Sequence, residues 1–273
     1  MRYAITLSYS GANYCGWQIQ DNAPTVQGEV EKALSLLLRE QISVTGAGRT
    51  DTGVNAINYV AHFDTGHLII NNTQELSAMH LPQGDAPIEA KFILYKLNAI
   101  VGKGIVFHSI EMCPPDFHAR YSAVKRTYSY LVHKKKDPFI ENISLYCGHD
   151  LDLGKMNTAA SYLIGEQDFS CFEKTGADNR TSRCNVVSAA WSPYTPAHAA
   201  MAGMAGGEDY IRFEISADRF LRNMVRAIVG TLLDIGRGKH GPEWIPRLIK
   251  SGDRCMAGQS VPGHALFLTK IEY

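Results

Sequence analysis

The residues with the clearest chemical potential lie in the stretch Gly46–Ala56, which reads Gly-Ala-Gly-Arg-Thr-Asp-Thr-Gly-Val-Asn-Ala. At its centre, the carboxylate of Asp51 follows Arg49 by two residues and lies among glycines that allow tight backbone turns. Strand-like residues on both sides, at 42–49 and 57–64, predict that Asp51 occupies a strand-to-strand loop, where functional side chains are often placed. The local pattern alone favours a plain Gly-rich turn in which this acid caps backbone amides.

Three familiar catalytic arrangements do not fit the sequence. The triplet Asp51-Thr52-Gly53 resembles the aspartic-protease motif and recurs thirteen residues later, but one strand pair does not supply the two symmetry-related lobes of a protease dyad. The ten histidines show no His-Glu-x-x-His pattern, and no P-loop Lys-Ser/Thr follows the glycines. What remains is a lone carboxylate, suited to covalent or acid–base chemistry on a bound polyanion.

Aromatic and basic side chains suited to act with this carboxylate lie in the second half of the chain. The segment Lys125–Val132 alternates as a strand, so Tyr128 and Tyr130 are predicted to share one strand face. Further on, Phe169–Arg183 is predicted to be an exposed basic loop. The small, Gly/Ala-rich residues 197–209 are predicted to be a mobile hairpin connection.

A buried helix is predicted to begin at the N-cap Asp218 and to end at Gly236. Arg222 and Arg226 lie four residues apart and therefore on one face of this helix, with Arg219 close by. Arg226 falls beside the apolar stripe, where an arginine usually has a carboxylate partner. Alternatively, its aliphatic stem follows the apolar surface and its guanidinium reaches water.

The bulk composition excludes several classes of protein. The 273 residues are 45% hydrophobic and 20% charged, which predicts a globular protein with a substantial core. No stretch has the apolar length of a membrane span and no signal-peptide layout is present, so a cytoplasmic location is expected. The six cysteines form no Cys-x-x-Cys pair, which argues against a zinc site or a disulfide framework. Lys+Arg and Asp+Glu number 27 each, which argues against indiscriminate coating of nucleic acid.

The order of predicted elements indicates an α+β chain of two domains. Pro114 and Pro115 are predicted to separate a domain of residues 1–115, with a net charge of −3, from a domain of residues 116–273, with a net charge of +3. The first domain begins with a strand at 2–9 and a helix whose N-cap is Thr25. The remaining predicted elements are helices at 88–101 and 153–163, strands at 105–110, 186–191 and 210–215, and a C-terminal strand.

Six motifs, in this order, resemble those of the tRNA pseudouridine synthase A family. They are Tyr14–Gln18 (Tyr-Cys-Gly-Trp-Gln), Thr25–Glu29 (Thr-Val-Gln-Gly-Glu), Gly48–Val54 (Gly-Arg-Thr-Asp-Thr-Gly-Val), Phe117–Arg120 (Phe-His-Ala-Arg), Arg126–Tyr130 (Arg-Thr-Tyr-Ser-Tyr) and Met224–Gly230 (Met-Val-Arg-Ala-Ile-Val-Gly). They span nearly the whole chain. Each motif alone is weak, and their shared order makes the resemblance specific.

The resemblance implies isomerisation of uridine to pseudouridine in tRNA, at positions 38 to 40 of the anticodon stem-loop, without cofactor or metal. The target base has to be flipped out of its stack, at a cost of roughly a few kcal/mol. By match to the family's motifs, Asp51 is expected to be the nucleophile or base, and Arg226 its basic partner in contact with it. Tyr128 is expected to stack on the uracil and is a candidate proton carrier, while Leu266 is expected to line the base pocket. Arg49 is expected to hold the flipped base or to occupy the vacated stem.

A tRNA bound through its shape and backbone requires a basic groove rather than a basic protein. The expected lining consists of Arg180, Arg183, Arg219, Arg222 and Lys239. The resemblance also implies a homodimer with tRNA spanning both subunits. The implied fold is the pseudouridine synthase fold, with two α+β halves whose antiparallel sheets are flanked by helices around a central RNA-binding cleft.

Two functions of other classes stay open. One is a catalytically silent tRNA-binding protein or chaperone. The other is a hydrolase that uses Asp51, which requires a second acid or a metal that the sequence does not reveal. The chain departs from the family's usual pattern at Thr52 and Asn55, where Ala and His are usual, and these departures bear more on RNA contacts than on the chemistry.

Overall fold

A computed structural model describes residues 1–69, 88–174, 176, 181–204 and 207–273 of the chain. They form two compact units, Met1–Ala123 with Tyr273, and Val124–Glu272. The architecture is mixed α+β, as predicted. Among the described residues, no helix has both the length and the apolar character that a membrane span requires.

The two units divide after Ala123, eight residues beyond the boundary expected at Pro115. Hydrogen bonds explain why the intervening segment stays with the first unit. Arg2 Nη1 donates to the carbonyl of Phe117 at 3.0 Å, and the hydroxyl of Tyr273 donates to the carbonyl of Ala119 at 2.8 Å.

The first unit is built around antiparallel strands. Its elements are β1 (Arg2–Tyr9), α1 (Val26–Leu38), β2 (Thr45–Gly46), β3 (Asn55–Asp64), β4 (Leu68–Ile69), β5 (Ile88–Glu89), α2 (Ala90–Ile100) and β6 (Ile105–Met112). β1 lies between β6 and β3, and β2 pairs with β3. Every second residue of β1 is buried, because successive side chains of a strand point to opposite faces.

The helix α1 forms where the sequence predicted it. The Thr25 hydroxyl accepts a hydrogen bond from the amide of Gly28, which satisfies one of the unpaired amides at the helix start. Residues 42–44, by contrast, do not form the predicted strand. The amides of Ile42 and Val44 bond to side chains of α1, so they are not available for a strand ladder.

The helix α2 confirms the predicted helix at 88–101 in a shorter form. Ile93 and Leu97 are buried. Phe92 and Tyr95, which contributed to the apolar pattern, are 51% and 69% exposed because they lie on the helix face turned to solvent.

The second unit also contains an antiparallel sheet flanked by helices. Its elements are β7 (Lys125–His133), β8 (Leu145–Tyr146), α3 (Leu153–Ser161), β9 (Gly165–Asp168), β10 (Arg183–Pro193), α4 (Ala197–Met201), β11 (Tyr210–Ala217), α5 (Met224–Gly236), α6 (Trp244–Ser251) and β12 (Leu266–Glu272). The sheet order is β12-β7-β11-β10-β9, and β8 pairs in parallel with β7. The described part of residues 197–209 connects β10 to β11, as predicted, and includes the short helix α4.

The start of α5 was predicted incorrectly. The helix begins at Met224, after Asn223 in a left-handed conformation with φ of 67°, so Arg222 precedes the helix and does not share a helix face with Arg226. Asp218 does not cap α5. Its carboxylate instead accepts hydrogen bonds from the amides of Asn185, at 2.8 Å, and its neighbour Arg219, at 2.7 Å.

The predicted basic loop at 169–183 is also only partly correct. Phe169 and Phe172 are fully buried, because removing an apolar ring from water lowers the free energy of the folded chain. Arg183 opens β10, and Lys174 is exposed.

Candidate active site

Asp51 lies on the loop between β2 and β3, as predicted, and is half-exposed. The loop turns immediately after it, where the amide of Val54 donates to the carbonyl of Asp51 at 3.1 Å. Gly53 within this turn has a φ of 79°, a conformation that residues with a Cβ rarely adopt. The turn therefore places a partly solvated carboxylate on short, closely folded backbone.

A second loop, residues 10–17, clamps this turn. The amide of Trp17 donates to the carbonyl of Thr50 at 3.2 Å, and the amide of Gly53 donates to the carbonyl of Tyr14 at 3.4 Å. At Gly16, whose φ is 91°, an added Cβ would lie 2.3 Å from the Thr50 carbonyl oxygen. The two loops thus approach more closely than any side chain at this position permits.

Buried side-chain hydrogen bonds fix both ends of the Asp51 turn. Thr50, immediately before Asp51, pairs through its hydroxyl with the hydroxyl of Tyr9 at 2.9 Å. Asn55, at the start of β3, accepts the amide of Gly11 at 2.9 Å through its side-chain oxygen. Thr50 and Asn55 are 7% and 4% exposed, so these bonds form away from competing water. Asn55, a departure from the family pattern, serves here as a structural anchor.

The backbone before Arg49 is held by an aromatic cluster. The hydroxyl of Tyr59 donates to the carbonyl of Gly48 at 2.5 Å and accepts the amide of the same residue at 3.1 Å. The rings of Tyr59 and Trp17 lie 4.2 Å apart, and an added Cβ at Gly46 would meet the Tyr59 hydroxyl at 2.2 Å. Arg49 follows these anchored residues with an exposed side chain.

In the second unit, Tyr128 lies on β7 opposite Leu268 of β12 and is half-exposed. The ring of Phe220 meets the Tyr128 ring edge-on, with centroids 5.1 Å apart and an interplanar angle of 85°. Edge-to-face contact is a favourable aromatic geometry, so Phe220 restricts the orientation of the Tyr128 ring.

Arg226 is the third residue of α5 and is half-buried. Its Nε donates to the carbonyl of Val261 at 2.7 Å, and its own carbonyl accepts the amide of Val261 at 3.2 Å. These two bonds fix both the backbone and the plane of the guanidinium. Since a guanidinium has five N–H donors in one plane, anchoring Nε also sets the direction of the other four.

Tyr130 lies near this arginine. Tyr130 is fully buried, and its hydroxyl donates to the carbonyl of Pro262 at 3.0 Å. Burial raises the pKa of Tyr130, and the positive charge of Arg226 acts in the opposite direction. Leu266, which is 4% exposed, pairs with Tyr130 across β7 and β12. The structure therefore connects Arg226 and Leu266 through Tyr130, which lies two residues after Tyr128 on β7.

The described residues of the predicted RNA lining lie on β10, in the turn before α5 and beyond the end of α5. On β10, Arg183 pairs with Glu166 at 3.0 Å. Beyond the C-terminal end of α5, Lys239 pairs with Asp234 at 2.8 Å. Because α5 starts just before Arg226, a rise of 1.5 Å per residue places its two ends roughly 18 Å apart.

The other three residues predicted to contact RNA are Arg219, Arg222 and Arg180. Arg219 and Arg222 lie in the turn between β11 and α5, where the carbonyl of Arg222 accepts the amide of Lys174 at 3.0 Å. Arg180 lies outside the described residues. RNA contact by all five residues stays a prediction.

Three residues hold these side chains in place in ways that the sequence did not predict. Tyr9 and Asn55 hold the Asp51 turn through buried bonds, and Phe220 orients Tyr128. Tyr130 was predicted to share a strand face with Tyr128, and this alternation is the sequence pattern that could have identified it as a supporting residue. Among the described residues, no group of three or more His, Cys, Asp or Glu side chains is arranged to hold a metal ion.

Comparison with known proteins identifies the family. Residues 159–273 match a family model described as tRNA pseudouridine synthase. A protein named tRNA pseudouridine synthase A from Parabacteroides distasonis is 42% identical over 272 residues, covering 100% of this chain and 96% of that protein. Proteins of the same name from Porphyromonas gingivalis and Francisella tularensis are 41% and 33% identical, covering 100% and 99% of this chain and 97% and 93% of their own lengths.

These relatives match from end to end, so the similarity includes both the Asp51 turn and the cluster around Tyr128 and Arg226. The chain belongs to the tRNA pseudouridine synthase A family, a family of isomerases.

Proposed function

We propose that this chain isomerises uridine to pseudouridine in the anticodon stem-loop of tRNA, at positions 38 to 40. The reaction breaks the bond between C1′ and N1, joins C1′ to C5, removes the C5 proton and adds a proton at N1. No atom is gained or lost overall. The enzyme's task is therefore to hold a detached uracil so that it rotates without escaping.

One observation carries the proposal: Asp51 is a half-exposed carboxylate on backbone that is fixed on both sides by buried hydrogen bonds. A carboxylate held in this way is pre-organised to react with a bound sugar or base, since little orientational freedom is lost in the transition state. The names of the relatives, which specify tRNA and pseudouridine, supply the substrate and product.

The second-unit residues have matching roles in this proposal. Tyr128, oriented by Phe220, stacks on the flipped uracil, and Leu266 lines the base pocket. Arg226, anchored at Nε, acts as the basic partner of Asp51 in the reaction. Arg49, exposed beside Asp51, holds the flipped nucleotide or the stem that it leaves. The proposal includes a homodimer, which sedimentation tests directly.

The decisive experiment measures tritium release from C5-tritiated uridine in an anticodon stem-loop, because pseudouridine formation expels the C5 hydrogen. Asp51→Asn is expected to lower the rate by at least about 10⁴-fold, as for loss of a covalent nucleophile. The matched control is Asp64→Asn, which changes the chain's other Asp-Thr-Gly triplet. Asp64 is exposed and pairs with Arg2 at 2.8 Å, so this control is expected to keep nearly full activity.

The outcomes separate the alternatives. Wild-type protein that binds the stem-loop but releases no tritium is a silent tRNA-binding protein. Release of free uracil instead of pseudouridine indicates a hydrolase. Equal pseudouridine formation by wild type and Asp51→Asn refutes the role of Asp51.

A further inference from the structure

The turn formed by residues 117–122, here called the Arg120 turn, connects the β6 side of the first unit to the rest of the chain and is anchored by its backbone at three points. The carbonyl of Phe117 accepts from Arg2 at 3.0 Å. The amide of Ala119 donates to Nδ1 of His62 at 3.1 Å, and the carbonyl of Ala119 accepts from Tyr273 at 2.8 Å. Ala119 is fully buried, so these bonds fix the base of the turn.

Further bonds within the turn shape its tip. Nδ1 of His118 accepts the amides of Arg120, at 3.2 Å, and Tyr121, at 3.3 Å. The hydroxyl of Ser122 accepts the amide of His118 at 3.0 Å, and the amide of Ser122 donates back to the His118 carbonyl at 2.8 Å. His118 thus holds the backbone amides of Arg120 and Tyr121, and its ring also lies 4.3 Å from the ring of Tyr121.

Those two side chains form an exposed pair at the tip. Tyr121 is 74% exposed, and Arg120 is also exposed, with its guanidinium carbon 5.5 Å from the Tyr121 ring centroid. Stability alone gives little reason to fix backbone so firmly beneath a solvent-facing aromatic ring, since an exposed ring contributes little burial. A pre-organised surface of this kind lowers the entropy cost of binding a ligand.

The chemistry of the pair fits RNA. An aromatic ring stacks on a nucleobase of any identity, and a guanidinium donates two parallel hydrogen bonds to a phosphate. Arginine also stacks on aromatic faces, so the observed Arg120–Tyr121 contact orients the charge beside the stacking surface.

We propose that Arg120 and Tyr121 form a second RNA contact, with Tyr121 stacking on a base or ribose and Arg120 binding a neighbouring phosphate of the tRNA substrate. The inference rests on the proposed function. His62 anchors the turn seven residues after Asn55 on β3, hence about 20 Å from the Asp51 end of that strand. The contact therefore lies several nucleotides away from the flipped base along the RNA.

A contact this far from the reacting atoms binds substrate and transition state equally. Loss of either side chain is therefore expected to raise KM and leave kcat unchanged. The effect is expected for full-length tRNA and is expected to shrink for a minimal anticodon stem-loop hairpin, because the shorter RNA has less backbone within reach of the turn.

The test compares Arg120→Ala and Tyr121→Ala with two matched controls, Lys96→Ala and Tyr95→Ala. Tyr95 is 69% exposed and lies near the ammonium of Lys96, at 5.9 Å from its ring centroid, so it reproduces an exposed aromatic–cation pair elsewhere in the same unit. Tyr121→Ala is expected to raise KM for tRNA about five- to 150-fold, and Tyr121→Phe to restore it. The controls are expected to leave KM unchanged.

The salt dependence of tRNA binding distinguishes the role of Arg120 from that of Tyr121. Arg120→Ala is expected to reduce the slope of log binding constant against log salt by about 0.7 to 0.9, the contribution of one phosphate contact, while Tyr121→Ala leaves that slope unchanged. Tyr121→Phe, which keeps the ring contact with His118 at 4.3 Å, is expected to leave the urea midpoint unchanged. A change confined to kcat, or an unchanged KM with full-length tRNA, overturns the proposal.

Sedimentation of the same variants tests the alternative occupant, a second copy of the chain. A Tyr121→Ala protein that dissociates while its monomer retains normal tRNA affinity overturns the RNA assignment. Failure of the proposed function is distinguishable from these results, since wild type then forms no pseudouridine. Failure of this inference leaves wild-type activity intact and the variants indistinguishable from it.

Discussion

Gly16→Ala tests whether the positioning of Asp51 depends on the close approach of two loops. Gly16 has a φ of 91°, and its Cα faces the carbonyl of Thr50, the residue immediately before Asp51. A methyl group at this position would lie 2.3 Å from the carbonyl oxygen, whereas ordinary contact begins at 3.4 Å. The backbone before Asp51 therefore has to move by about 1 Å.

The expected magnitudes follow from this displacement. The left-handed backbone costs an alanine roughly 1–2 kcal/mol, and weakening the bond from the Trp17 amide to Thr50 costs about 1 kcal/mol more. The free energy of unfolding is thus expected to fall by about 2–3 kcal/mol. A 1 Å misplacement of a catalytic group costs about 10²-fold in rate, so kcat/KM is expected to fall by about that factor.

Urea unfolding and tritium release from an anticodon stem-loop measure the two effects. Gly48→Ala is the matched control. Gly48 lies in the Gly-rich stretch that contains Asp51, and a Cβ added to it would meet no other atom within 4 Å. It is expected to retain wild-type stability and activity. A Gly16→Ala enzyme that remains folded and reacts at the wild-type rate would refute the reasoning that the clamp positions Asp51.

Two further predictions concern a guanidinium and an imidazole. Arg226→Lys keeps the charge but loses the planar fork anchored on Val261, so kcat is expected to fall about 10- to 100-fold, while the lost hydrogen bond lowers the free energy of unfolding by only about 1 kcal/mol; a wild-type kcat would contradict this. Burial lowers the pKa of His62 below 6.5, helped by Arg2 and His118 and opposed by Asp64. Because the unfolded chain then binds a proton at higher pH than the folded one, unfolding free energy should fall as pH drops below about 6.5. His62→Asn, whose oxygen still accepts the Ala119 amide, should show a shallower decline between about pH 7.5 and 5.5; an equal decline counts against His62 as a source.

The segments that sequence reasoning placed well have strong local signals. Alternation defines β1, and the helix after Thr25 has both a capping hydroxyl and an apolar repeat. The Gly-rich stretch around Asp51 likewise predicts a loop, because glycine permits positive φ wherever it occurs.

The segments placed poorly depend on partners far away in the chain. Ile42 and Val44 are β-branched yet donate their amides to side chains of α1, which local propensity does not reveal. The helix expected from Asp218 starts six residues later, because the Asp218 carboxylate bonds to β10 and a left-handed Asn223 precedes the first helical turn. Such outcomes are decided by tertiary hydrogen bonds, which compete with local signals of similar energy.

The sequence by itself determined the class of fold, the loop position of Asp51 and, through ordered motifs, the family. The tertiary structure alone decided how firmly that loop is held, because the contacts of Tyr9, Gly16 and Asn55 join residues about 34 to 44 positions apart. It also decided that Arg226 is anchored on Val261, a residue 35 positions away. The physical reason is that residue types and spacing specify which groups are available, whereas orientation and burial arise only when distant segments pack together.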